Sequence, residues 1–339
     1  MNNFHFSKII AGVGPTLAKE TVLSKVINMV DVFRISLSGG FDDNNKKYID
    51  TIMKLDNSKT IMMETRGSDI RVKNVLDIKV KARQNIEIDY SEYAQEHDKK
   101  IFMDASFLHE LKIGQVIKFQ QSGVVIKIKS SKENLIMCEV VEGGKIIQFD
   151  RIFFNNYTLD LPFLGERDKH DILWGLEYGI HVMAPSLVKT RDDILELKQF
   201  LSTKNASNMK ILAKIETEEA LDNIDEILDV SDGLIFVFEK IEKAMKTLKL
   251  NEEMLIQKCK ILGKPAIVTF VGKFEKNKYQ LINETQLKKF SNMAADAYML
   301  DTLLQEDDPL TMITQLSDTL DNLELKITAQ ELTRFYANN

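Results

Sequence analysis

Residues 209–238 read MKILAKIETEEALDNIDEILDVSDGLIFVF. The apolar run at 210–215 closes on Lys214-Ile215-Glu216. An amphipathic stretch follows, and Ser231-Asp232-Gly233 opens a second apolar run at 233–238. Thr217 ahead of Glu218 and Glu219 is a helix start: a hydroxyl can hold the first free amides, and acidic residues suit the positive end of a helix. Strand, helix, strand on this scale is the unit that builds parallel sheets. Alternate strand residues share a face, so Lys214 and Glu216 point the same way.

The same unit recurs in both directions. Short apolar runs at 8–13, 32–37, 60–64, 181–184, 210–215, 233–238, 266–269 and 297–300 are bounded by turn or charged residues, as buried parallel strands are. Helical periodicity fills gaps between them, at 16–29, 192–201 and 218–228. This alternation predicts an α/β fold, a (β/α)8 TIM barrel. The stretch 72–157 differs. Segments 86–90, 116–119, 124–128 and 135–141 are short and alternating, with Gly114, Gly123 and Gly143-Gly144 between them, which predicts antiparallel sheet. The expected organisation is a discontinuous barrel over 1–71 and 158–322, a small all-β domain over 72–157 inserted after the third barrel strand, and a polar C-terminal tail over 323–339, with one helix from Ala329.

Of the 339 residues, 44% are hydrophobic and 28% charged, which is globular usage and not disorder. A net charge of -6, with Lys and Arg spread along the chain, argues against nucleic-acid polymers and anionic membranes as partners. Cys138 and Cys259 fit no metal spacing and give no disulfide framework. The N-terminus MNNFHFSKIIAGVG is not a secretion signal, and no apolar run is long enough to span a bilayer. A cytoplasmic location is expected. His5, His97, His109, His170 and His181 show no metal-binding spacing. Gly12-x-Gly14 lacks the third glycine of a nucleotide fingerprint.

Several motifs, in order, resemble the pyruvate kinase family: Lys8-Ile9-Ile10-Ala11-Gly12-Val13-Gly14-Pro15, then Arg34-Ile35-Ser36-Leu37-Ser38-Gly39, then Glu64-Thr65-Arg66-Gly67-Ser68-Asp69-Ile70-Arg71, then Leu159-Asp160-Leu161-Pro162 with Glu166-Arg167-Asp168, and the Lys214–Glu216 stretch. The similarity runs from about Lys8 to Leu323. It implies the same barrel with an inserted β domain, and phosphoryl transfer between phosphoenolpyruvate and ADP with magnesium and potassium. The family's C-terminal domain, used in assembly and control, has no counterpart in the sequence to Asn339.

By this resemblance Lys214 and Arg34 are the catalytic positions, Glu216 is a ligand of the divalent metal, and Arg34 and Arg71 contact phosphate or nucleotide. Ser36, Ser38, Glu64 and Thr65 occupy the monovalent-cation site, with Ser36 replacing asparagine and Glu64 replacing aspartate. The second metal carboxylate is replaced by Lys240. An ammonium there reverses the local charge, which disfavours a divalent ion. Glu239 and Glu242 replace glycines beside the substrate carboxylate. The threonine of the seventh strand aligns with Phe270 or, one residue earlier, Thr269. Gly39 replaces a histidine near the nucleotide, Phe153-Phe154-Asn155-Asn156 replaces Asn-Leu-Pro-Gly, and the nucleotide-binding lysine before it is Asp150 or Arg151.

Lys240 has three readings: a solvated residue of a helix over 239–249, a charge replacing the lost cation, or a lysine beside Lys214 with a depressed pKa suited to Schiff-base chemistry. Three functions follow. One is a pseudoenzyme, impaired in phosphoryl transfer, that binds a small anion such as phosphoenolpyruvate or a 2-oxo acid, or a protein partner or second copy. Another is an enzyme with changed chemistry on those acids at Lys214 and Glu216. The third is an active pyruvate kinase.

Overall fold

The computed structural model describes residues 6–38, 41–68, 70–73, 77–89, 100–103, 111–132, 135–147, 150–154, 161–270, 273–275, 278–280, 284–300 and 308–337. The chain divides into two compact units, Met1–Gly67 with Phe163–Asn339, and Ser68–Pro162.

In the first unit eight strands close a parallel barrel: Lys8–Gly12, Val32–Ser36, Thr60–Glu64, Val182–Ala184, Lys210–Ile215, Gly233–Phe236, Ala266–Phe270 and Ala297–Leu300. Each pairs with its neighbours in sequence, and the eighth returns to the first, with Lys8 opposite Ala297. The TIM barrel expected from the alternation is the fold. Residue parity separates its two cores. Ile10, Met62, Ala184, Ile235, Ile267, Ala297 and Met299 form a cluster of their own, the barrel interior. Ile9, Ala11, Phe33, Ile35, Ile211, Ala213, Leu234 and Val268 point the other way and pack with apolar residues of the surrounding helices.

The N-terminal ends of the strands are fastened by a repeated device. Asp31, just before the second strand, accepts the Ile9 amide of the first at 2.9 Å and the Lys8 ammonium at 3.0 Å. Before the sixth, Asp232 accepts the Ile211 amide of the fifth at 2.9 Å and Lys210 at 3.1 Å. Asp296, before the eighth, accepts the Ala266 amide of the seventh at 2.8 Å and pairs with Lys260. Each aspartate satisfies a strand-end amide that the ladder leaves open.

Helix starts follow the side-chain chemistry. Asp42 and Thr190 form capping boxes with Asn45 and Asp193, and the Thr217 hydroxyl accepts the Ala220 amide at 3.1 Å, as its sequence context predicts. Two expectations are corrected. The helix over 218–228 is two, Glu218–Asp222 and Ile224–Val230. Asn223 breaks it, its side-chain amide donating to the Lys189 carbonyl at 3.0 Å and the Glu219 carbonyl at 3.1 Å. The helix placed at Ala329 is continuous from Pro309 to Ala337, so the division drawn at 323 falls inside it. Ile313, Leu316 and Leu320 bury its first half in the barrel's outer core.

The second unit contains a sheet ordered Ile152–Phe154, Val116–Phe119, Val125–Lys132, Leu135–Glu142, Asn85–Asp89, Lys100–Phe102, antiparallel except for the last pair. Its alternating residues, among them Ile86, Ile88, Ile126, Ile128, Ile136 and Cys138, bury a separate core. Burial pushes the Cys138 and Cys259 thiols up to about 12, so both are inert apolar fillers. Among the described residues no helix is long and apolar enough to cross a membrane.

Gly233 opens the sixth strand close against Pro265. An added Cβ would lie 2.7 Å from Pro265 Cγ and 2.8 Å from the Pro265 carbonyl, neither of which can swing away. Gly233→Ala should therefore cost about 1–3 kcal/mol of stability, read as a lower urea midpoint.

Candidate functional site

Arg34, Glu64, Lys214 and Thr269 follow, by two residues each, Val32, Met62, Leu212 and Ile267, which belong to or pack on the interior cluster. They therefore face inward at the C-terminal strand ends, the end at which barrel enzymes build their sites. Phe270 has the opposite parity and packs in the outer core with Phe290 and Tyr298. Of the two candidates on the seventh strand, Thr269 is the inward residue, and its hydroxyl donates to the Phe236 carbonyl at 3.1 Å.

Glu64 joins the two inward cations. Arg34 Nη1 donates to its Oε2 at 2.7 Å, and Lys214 Nζ lies 3.1 Å from its Oε1. Arg34 is 0% exposed, Lys214 4% and Glu64 7%, so the triad is out of bulk water. Gly12 makes room for it: a Cβ there would stand 2.8 Å from Arg34 Nη2. The sequence excluded Gly12 from a nucleotide fingerprint but gave it no other role, because its neighbour Arg34 belongs to the next strand.

Glu216 closes the other side. Its Oε1 accepts the Leu187 amide at 2.9 Å, and its Oε2 accepts the Lys240 ammonium. Leu187 sits at φ 58, a left-handed conformation that a leucine seldom adopts, and nothing in the sequence marks it. Lys240 lies in the first turn of a helix, Phe238–Leu248. A cation there opposes the helix dipole, and the buried carboxylate offsets that penalty. The neighbouring Glu239 is exposed, and Glu242 pairs with Lys246 at 2.6 Å on the same helix.

The residues expected around a monovalent cation pair with protein groups. The Ser36 and Ser38 hydroxyls lie 3.1 Å apart and hydrogen-bonded, and Thr65 Oγ1 accepts the Ser186 amide at 3.1 Å. Among the described residues no three His, Cys, Asp or Glu side chains come together as a metal cluster. Arg71 belongs to the β unit, where its backbone bridges Arg151. Asp150 is fully buried and accepts the Gln121 and Ser122 amides at 2.8 and 3.0 Å, holding a turn, while Arg151 stacks on Phe153. Gly39, Asp69, Asn155, Asn156, Leu159 and Asp160 lie outside the described residues.

Burial alone would push the Glu216 carboxyl up. Lys214 and Lys240, the Lys240 hydrogen bond and the Leu187 amide outweigh it and bring the pKa from 4.5 down to about 2. A carboxylate whose pKa is depressed in the folded state stabilises the fold above its unfolded pKa and loses that contribution as the pH falls through the folded value. The window here is 4.5 down to about 2. The lowering corresponds to about 3 kcal/mol. Urea midpoints taken between about pH 6 and about pH 3 should thus fall more steeply for the wild type than for Glu216→Gln. Parallel curves would mean that Glu216 is not paired in solution.

Set against known proteins, residues 4–274 match the family model described as pyruvate kinase, barrel domain. The pyruvate kinase of Sporosarcina psychrophila is 29% identical over 272 residues, covering 77% of this chain and 46% of that protein. That of Staphylococcus aureus strain MRSA252 is 28% identical over 274 residues, with the same two shares. The chain thus spans about half the length of the curated relatives it matches. The crystal structure of Cryptosporidium parvum pyruvate kinase superposes with a TM-score of 0.83 at 22% identity, over 95% of this chain and 71% of that one, a likeness of fold. With the family model matched across both flanks of the β insertion, this chain belongs to the pyruvate kinase family.

Proposed function

We propose that this protein is a pseudoenzyme of its family: a barrel that binds a small organic anion and is impaired in moving a phosphoryl group from phosphoenolpyruvate to ADP. One observation carries the reading. The carboxylate at the family's metal position, Glu216, holds the ammonium of Lys240. A divalent cation needs several oxygen ligands of negative or neutral character. Glu216 has both oxygens engaged by protein donors, and its would-be partner is a cation. The residues therefore do not fit magnesium. The potassium position is likewise met by side chains: Glu64 bonds Arg34 and Lys214.

A second reading has its own support. Lys214 is buried, ion-paired and inward at the barrel mouth, where a lysine can stabilise an enolate or act on a carbonyl carbon. An enzyme with altered chemistry on a 2-oxo acid would keep it there. The retained Arg34, Lys214 and Glu216 are also what an active pyruvate kinase would need.

Turnover of phosphoenolpyruvate and ADP, with and without magnesium and potassium, separates these readings. The pseudoenzyme reading expects no cation-dependent pyruvate formation, at least about a thousandfold below a working enzyme, because charge neutralisation by the metal is missing. Lys240→Asp should gain magnesium affinity by calorimetry. Cation-dependent turnover that Lys214→Met abolishes would overturn the reading in favour of an active kinase. Cation-independent consumption of a 2-oxo acid, lost in a folded Lys214→Met, would favour altered chemistry.

A further inference from the structure

Five charged side chains meet at the C-terminal end of the barrel: Arg34, Lys214 and Lys240 against Glu64 and Glu216. Three cations less two carboxylates leave a net charge of +1 among these five. Glu64 is the residue that sets this balance. It holds Arg34 and Lys214 at once, and Arg34 is 0% exposed above the space left by Gly12. Lys240, its side chain 41% exposed, is the cation of the group that reaches solvent.

We propose that Glu64 is the specificity-determining residue of this site and that, through it, the barrel mouth takes a small monoanionic 2-oxo acid in preference to a phosphate ester. The inference rests on the preceding reading, that Lys240 stands where a divalent cation would. A 2-oxo acid brings one negative charge and neutralises the five. Phosphoenolpyruvate brings a carboxylate and a phosphoryl group, about -2.5 to -3 at neutral pH. Without a metal it would leave uncompensated negative charge beside buried groups, which low-dielectric surroundings penalise. A phosphoryl group would also have to draw Arg34 and Lys214 away from Glu64. A carboxylate that pairs with Lys240 needs no such exchange.

The choice is tested by calorimetric titration of the full chain with pyruvate and with phosphoenolpyruvate, in buffer containing EDTA. Pyruvate should bind at least about tenfold tighter. Glu64→Gln raises the balance to +2 and releases both inner cations, so the preference should move toward phosphoenolpyruvate by about tenfold or more. Glu64→Asp, which keeps the charge, should keep the preference for pyruvate. Lys240→Gln lowers the balance to zero at a half-exposed position and should weaken pyruvate about tenfold, with Glu64 in place. If Glu64→Gln fails to fold, as circular dichroism would show, the charge argument is still tested here: a pyruvate affinity unchanged in Lys240→Gln would overturn it. Phosphoenolpyruvate binding the wild type as tightly as pyruvate, no binding of pyruvate, or an unchanged ratio in a folded Glu64→Gln would each overturn the proposal. These titrations contain no metal and read no turnover. Their failure is therefore distinct from failure of the pseudoenzyme reading, which cation-dependent catalysis would reveal.

Discussion

A carboxylate taken out of water must be met by charge or hydrogen bonds, and Glu216 is met by both. Lys240 and the Leu187 amide engage its two oxygens, and Lys214 adds its field. The local architecture follows from this demand. The turn after the fourth barrel strand puts Leu187 into a left-handed conformation that carries its N–H to the carboxylate. The helix at Phe238–Leu248 begins with a lysine in its first turn, against its own dipole. Neither feature is favourable alone. Both become so because the alternative is an uncompensated buried charge, which costs about 3–5 kcal/mol when one partner of such a pair is removed.

The two ends of the barrel handle charge differently. At the N-terminal end, Asp31, Asp232 and Asp296 each combine a strand amide with a lysine near solvent, a local arrangement that repeats because the strand–helix unit repeats. At the C-terminal end, the contacts join residues from different strands and loops without repetition. Arg34 and Glu64 lie on the second and third strands, Lys214 on the fifth, and Lys240 in the helix after the sixth. Repeated contacts serve stability, and unique ones belong to a site. This is the division of labour that barrels show.

That contrast also explains what was legible in the sequence. Barrel strands are short apolar runs, so periodicity finds them, and the spacing of Lys214 and Glu216 fixes their common face. The inserted sheet is legible from the switch to alternation near Val72. Local competition is harder to read. Asn223 looks helical until its side chain is seen on the Lys189 and Glu219 carbonyls. The last helix starts at Pro309, a residue that suits a first turn, well before the polar segment that suggested a tail. Parity decides between Thr269 and Phe270 only once the strand's phase is known from Ile267. The resemblance names Arg34, Glu64 and Lys214, but their pairing with one another could not be read: they are far apart in sequence, and Gly12 signals an absent side chain whose space belongs to Arg34.

The altered positions become intelligible as a set when charge is counted. By the resemblance Lys240 stands where the family has an aspartate; Glu216 pairs with it, one carboxylate with one ammonium, so the two are neutral together. Aspartate to lysine at that position, judged alone, looks destructive. Judged with Glu216 still present, it leaves that carboxylate paired with an ammonium of the same chain. The exchange is not equivalent for chemistry. A divalent ion can share its charge between protein and substrate oxygens, whereas an ammonium bonded to Glu216 has less to offer a phosphoryl group. Glu64 likewise holds both Arg34 and Lys214 in ion pairs within the chain. On the proposed reading, a mouth whose cations are already paired within the chain suits a ligand of low charge better than one of high charge.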